Sequence, residues 1–75
     1  MKRDDFIEWA KKKGFKDTGY GVKNIRLIRD DMSFKVSKLA IRYEKKIEGK
    51  WYKLMNNYLK NISIDENDML QGLKK

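Results

Sequence analysis

Any chemistry in this 75-residue chain has to come from carboxylates, hydroxyls and amines, because it contains no histidine and no cysteine. That removes the commonest general base and metal ligand, together with thiol nucleophiles, thiolate zinc sites and disulfides. Acidic residues gather at Asp4-Asp5, Asp30-Asp31 and Asp65-Glu66-Asn67-Asp68. Acid–base pairs and hard-metal sites need several carboxylates converging in space. The first two pairs instead suit a helix start and a turn, and the third lacks the glycine and closing glutamate of a calcium loop. The hydroxyls of Thr18, Ser33, Ser37 and Ser63 have no histidine to activate them, and a lysine base would need a buried pocket that so short a chain rarely builds. Gly19-Tyr20-Gly21 resembles part of a phosphate-cradling loop, but it lacks the Gly-Lys-Ser/Thr ending and precedes a strand rather than a helix. The expectation is a non-enzymatic protein with no metal and no cofactor.

Amines are the abundant reactive group. Lys and Arg number 19 against 11 Asp and Glu, a net charge of +8. The surplus lies in residues 1–53, with sixteen basic and eight acidic side chains, while residues 54–75 are balanced. A basic surplus points to a polyanionic partner such as nucleic acid. Fifteen lysines against four arginines, with seven Ile and five Asn, is also what AT-rich codons write. Total charge therefore does not decide; placement has to. No apolar run approaches the ~18 residues of a membrane span, and no signal-peptide pattern follows the basic start. The expected setting is the cytoplasm, with no membrane partner.

The positioning elements read as one small α+β domain over residues 1–75, with an N-terminal helix packed on a mainly antiparallel sheet. Three long strands and one or two short C-terminal ones make up that sheet. The helix spans 4–14, opening on a capping-box-like Asp5 and Glu8. Phe6, Trp9, Ala10 and Lys13 form its buried stripe, and Gly14 with Phe15 forms its C-terminal cap. Residues 16–21 read as a loop, and Val22–Arg29 as a strand. Asp30-Asp31 and Glu48-Gly49 are turns, and Met32 to Ile47 is one long extended stretch. Lys50 to Tyr58 is the third strand, and Ile62–Ile64 and Leu70–Leu73 flank the acidic turn. Along the long stretch, Phe34 and Val36 are even-numbered but Leu39, Ile41 and Tyr43 are odd. One face holds both sets only if a β-bulge falls near Ser37-Lys38, or if the strand breaks at a corner there.

Two-residue turns set the registers. Leu27 then faces Phe34, Ile25 faces Val36, Tyr43 faces Leu54 and Leu39 faces Tyr58, giving an apolar face for the helix. The other face collects Arg26 beside Lys35, Arg42 beside Met55, Glu44 beside Lys53, and Lys46 beside Trp51. Spaced cations with an aromatic platform suit nucleic acid, and Trp51 with Met55 also suits a protein contact. The candidate binding residues are Arg26, Lys35, Arg42, Lys46, Trp51, Lys53 and Met55. An ordinary solvated sheet face would show the same alternation.

Phe6-Ile7-Glu8-Trp9-Ala10 running to Lys13-Gly14-Phe15, then Arg42-Tyr43-Glu44, Trp51, Leu54, Tyr58-x-Lys60-x-Ile62-x-Ile64 and Gly72-Leu73, resemble small uncharacterised proteins of phages, prophages and integrative elements in low-GC Gram-positive bacteria. Similar proteins often carry Gly in the tail turn, where this chain has Asp68. The resemblance implies a mobile-element setting and carries over no catalytic residue. In that setting the first expectation is an accessory protein binding nucleic acid through the basic sheet face. The alternative is an inhibitor or modulator of a host protein or ribonucleoprotein, such as a CRISPR-like defence effector. The chain is expected to be a monomer or an edge-paired homodimer.

Overall fold

A computed structural model describes residues 1–19 and 24–73. Helix α1 (Arg3–Lys12) packs on a five-stranded antiparallel meander. Its strands are β1 (Lys16–Asp17), β2 (Ile25–Arg29), β3 (Met32–Val36), β4 (Ala40–Ile47) and β5 (Lys50–Tyr58), adjacent in chain order. A 3-10 turn (Leu59–Asn61) leads to a small second sheet of β6 (Ser63–Ile64) and β7 (Leu70–Gln71). The fold is α+β, as the periodicities require.

Helix α1 starts earlier than the acidic pattern suggests. Lys2 is its N-cap residue, with no side-chain cap, so the Asp5/Glu8 capping box is not formed. The Met1 nitrogen donates to the carbonyls of Leu59 and Ile62, which anchors the chain next to the 3-10 turn and lets the Lys2 carbonyl take the first helical bond from the Phe6 amide. Asp4 and Asp5 still favour the positive helix end. The C-terminus follows expectation: Gly14 turns left-handed at φ 93°, the Phe15 amide bonds Ala10 and the Gly14 amide bonds Lys11. That pair of bonds is a Schellman cap, and it swings Phe15 back into the core.

Two hairpins form at the expected turns, with Arg29 opposite Met32 and Ile47 opposite Lys50. Glu48 and Gly49 both have positive φ, at 51° and 82°, as a type I′ turn demands. Three expectations are corrected. The long stretch is two strands: residues 37–39 leave the sheet, and β4 folds back on β3 with Val36 opposite Ile41. Ser37 holds this corner, its amide and hydroxyl both bonding the Ala40 carbonyl. The change of parity comes from that corner and not from a bulge at Ser37-Lys38. A bulge does occur, but in β5: the register shifts at Tyr43/Glu44, Tyr43 faces Met55, Glu44 faces Lys53, and Leu54 is the extra residue. Finally, Lys16 and Asp17 are not loop but the short edge strand, opposite Ile28 and Leu27. Of the phosphate-loop fragment, Tyr20 and Gly21 lie outside the described residues, as do Val22 and Lys23 at the expected start of the second strand.

The core lies between α1 and one sheet face. Phe6, Ala10, Phe15, Leu27, Phe34, Val36, Ile41, Leu59 and Ile62 are buried. Phe34 is its hub. Its ring meets Phe6 edge-on at 5.1 Å and lies 4.9 Å from Phe15, 5.1 Å from Tyr43 and 6.3 Å from Trp9, all within the range of favourable ring pairs. The β6–β7 unit closes the helix end: the Trp9 indole donates to the Asp68 carbonyl at 3.1 Å, and the Lys13 ammonium sits 2.8 Å from the Asp68 carboxylate. Gly72 lies so near Asn61 that a Cβ would fall 2.2 Å from the Asn61 carbonyl oxygen. Leu39 and Tyr58, expected on the apolar face, are 66% and 59% exposed instead.

Phe34→Ala is expected to cost about 3–5 kcal/mol, a large share of what so small a core supplies. Urea unfolding followed by near-ultraviolet circular dichroism reads it directly; a loss well under 1 kcal/mol would remove Phe34 from the centre of the fold.

Candidate functional site

Cross-strand partners share a face, so the registers fix what the side of the sheet away from α1 presents. One row runs Arg26, Lys35, Arg42, Asn56 across β2, β3, β4 and β5. The next runs Ile28, Ser33, Glu44, Lys53, and beyond it Lys46 lies opposite Trp51. Arg26, Lys35, Arg42, Lys46, Trp51 and Lys53 are therefore gathered as expected. Met55 is not. The Leu54 bulge turns it to the helix side, opposite Tyr43, and gives its place beside Arg42 to Asn56. The same shift brings Tyr58 to the outer face opposite Ala40.

Part of this face is closed on itself. The Arg26 guanidinium lies 2.8 Å from the Glu44 carboxylate, donates to the Ser33 hydroxyl at 3.1 Å, and sits 5.1 Å from the Trp51 ring centre. The Lys46 ammonium is 5.6 Å from the same ring. This stack roofs over Ser33 and Glu44, which are buried although the outer face carries no second layer among the described residues. Glu44 was expected beside Lys53 on an open surface. It does sit opposite Lys53, but its carboxylate turns to Arg26. A screened pair of this kind is structural: removing one partner leaves a charge uncompensated. Trp51 is correspondingly engaged by two cations of its own chain.

The open part lies further along the strands. Lys35, Arg42, Asn24, Asn56 and Tyr58 border a hollow of about 560 Å³ over the β3–β4 corner. Arg42 is exposed there and has no acidic partner among the described residues. The amides of Asn24 and Asn56 add both donors and acceptors. Asn24, Asn56 and Tyr58 are the residues sequence reasoning missed. The signal that would have found Asn56 and Tyr58 is the odd–even conflict itself, resolved as a corner plus a bulge in β5.

The acidic clusters do other work. Asp65 accepts from the amides of Asn67 and Met69 and from the Gln71 side chain, at 2.8–3.0 Å. The Met69 amide is the main reason its pKa is lowered. Asp68 is lowered chiefly by its bond to Lys13. It also takes a positive φ of 61°, the conformation for which Gly is the easier residue. No three His, Cys, Asp or Glu side chains among the described residues come together as a metal site, and no helix there is long and apolar enough to cross a membrane. Comparison of the chain with known protein families, with curated proteins and with solved structures finds no match.

A carboxylate whose folded pKa is depressed stabilises the fold above its unfolded pKa, and that contribution fades as the pH falls through the folded value. The β6–β7 turn should therefore loosen below about pH 4. Amide exchange of Asn67 and Met69 should speed up there relative to the β3–β4 amides, and Asp65→Asn should bring the same loosening to neutral pH. Unchanged protection at Met69 in that variant would contradict the assignment.

Proposed function

We propose that this protein is a non-catalytic accessory protein of a phage or mobile element that binds nucleic acid through its outer sheet face in the bacterial cytoplasm. The row Arg26–Lys35–Arg42 carries the reading. Like charges directly opposite one another destabilise a sheet. Glu44 pairs with the Arg26 end. Lys35 and Arg42 stand side by side at the rim of a hollow that is also lined by three asparagines and an exposed tyrosine. A polyanion turns that repulsion into attraction, with phosphates between the cations and hydrogen-bonding groups beside them.

A second reading has its own observation. On the helix side, Met32, Met55, Met69, Leu70 and Leu73 line an apolar hollow of about 430 Å³, and Ile47, Tyr52 and Leu54 are exposed on β4 and β5. Methionine and aromatic side chains of this kind suit an interface core, so contact with a host protein is the alternative mode of action.

Fluorescence anisotropy with labelled random-sequence single strands and duplexes decides between them. Binding should weaken steeply with salt. Arg42→Glu and Lys35→Glu should each lower the log–log salt slope by about one unit, while Lys11→Glu at the far end of α1 leaves it unchanged. Undetectable binding at low salt would overturn the nucleic-acid reading. A nuclease-resistant complex with a host protein, lost on Met69→Glu, would favour the second.

A further inference from the structure

A second hollow, of about 500 Å³, lies beside the first and shares Tyr58 with it. Leu39, Leu59 and Tyr58 give it an apolar floor, and Lys2, Lys38 and Lys60 stand on its rim without an acidic lining residue. Leu39 and Tyr58 are the two most exposed apolar residues of that region, at 66% and 59%. The backbone at both is hydrogen-bonded. The Leu59 amide bonds the Leu39 carbonyl, the Tyr58 amide bonds the Asn57 side chain, and Ser37 fixes the corner before Leu39. We infer that the two hollows form one track for single-stranded nucleic acid, with Tyr58 as the base-stacking platform where the strand crosses from one to the other. The inference rests on the nucleic-acid reading above and adds the class of strand, its path and the residue that selects it.

Three observations favour a single strand. First, a stacking ring has to meet the flat face of a base, which a duplex hides within its own stack. Tyr58 is the ring free for this. Trp51 already carries the half-buried Arg26 guanidinium and the Lys46 ammonium, whereas Tyr58 has the Lys60 ammonium at 5.9 Å, near the limit of such a contact. Second, the helix that would enter a major groove, α1, is packed on the opposite side of the sheet and spends its apolar stripe on the core. Third, cations flank the ring on both sides, Lys35 and Arg42 in the first hollow and Lys2, Lys38 and Lys60 in the second. A strand laid across Tyr58 can thus set consecutive phosphates on cations while one base rests on the ring and its neighbour on Leu39.

The test is anisotropy of labelled (dT)10 and (rU)10 against a twelve-base-pair duplex, together with flotation of phosphatidylglycerol vesicles. Tyr58→Ala should weaken single-strand binding about tenfold or more without changing the salt slope, because stacking releases no counterions. Tyr58→Trp should preserve or strengthen it. Lys38→Glu with Lys60→Glu should lower the slope, and duplex affinity should not respond to Tyr58. Tyr58 is exposed, so circular dichroism of the variants should match the parent. If single strands and duplex bind equally and Tyr58→Ala changes neither, the track is refuted while the nucleic-acid reading stands. If the unmodified protein binds no nucleic acid at low salt, both fall. If the lysine variants lose only vesicle binding, the second hollow is a lipid-headgroup site and the inference is overturned.

Discussion

The structure depends on where the Phe34 ring points. Four other aromatic rings, from α1, the cap that follows it and β4, converge on this one side chain in β3. These contacts join the helix, the cap and two strands at once. Ring pairs of this geometry add to the ordinary gain from burial, and in a chain this short no second core shares the load. Once Phe34 faces the helix, alternation leaves no freedom: Ser33 and Lys35 must face away, and with them their partners Glu44 and Arg42.

The basic outer face is thus a consequence of the core. Its composition is not. A solvated sheet face tolerates any polar pairing, and opposite charges across strands would be the stabilising choice. This chain makes that choice around Glu44, which lies opposite Lys53 and pairs with Arg26, and there it builds a half-buried stack with Trp51 and Ser33. It does not make it between Lys35 and Arg42. One end of the face is thus compensated by Glu44, and the hollows lie toward the other. The compensated end ties β2 to β4 through Arg26 and Glu44, and the other carries Lys35 opposite Arg42.

Much of this was legible from residue types and spacing. The helix stripe Phe6, Trp9, Ala10, the cap at Gly14 and Phe15, and the turns at Asp30-Asp31 and Glu48-Gly49 are local signals with local causes. Two known turns fix two registers, and with a parity change between them near Ser37-Lys38 they put Arg26, Lys35, Glu44, Lys53, Lys46 and Trp51 on one face. The errors cluster between Ser37 and Tyr58. The parity conflict there is real, but a corner and a bulge relieve it equally well, and no local preference separates them. The chain uses both, the corner at residues 37–39 and the bulge at Leu54. Each displaced one residue from its expected neighbour, so Met55 went to the helix side and Asn56 and Tyr58 took the outer face.

By itself, then, the amino-acid sequence determined the classes of element, the absence of histidine and cysteine chemistry, and the charge surplus of the first two-thirds. These follow from side-chain type and from interactions within a turn or two. Only the tertiary structure decided which cation is neutralised, which aromatic ring stays open, and that Leu39 and Tyr58 lie beside Lys38 and Lys60 in a single hollow. Those outcomes depend on pairing across strands and on a one-residue shift in β5. A shift of one residue reverses every side chain beyond it while leaving the local sequence preferences almost unchanged.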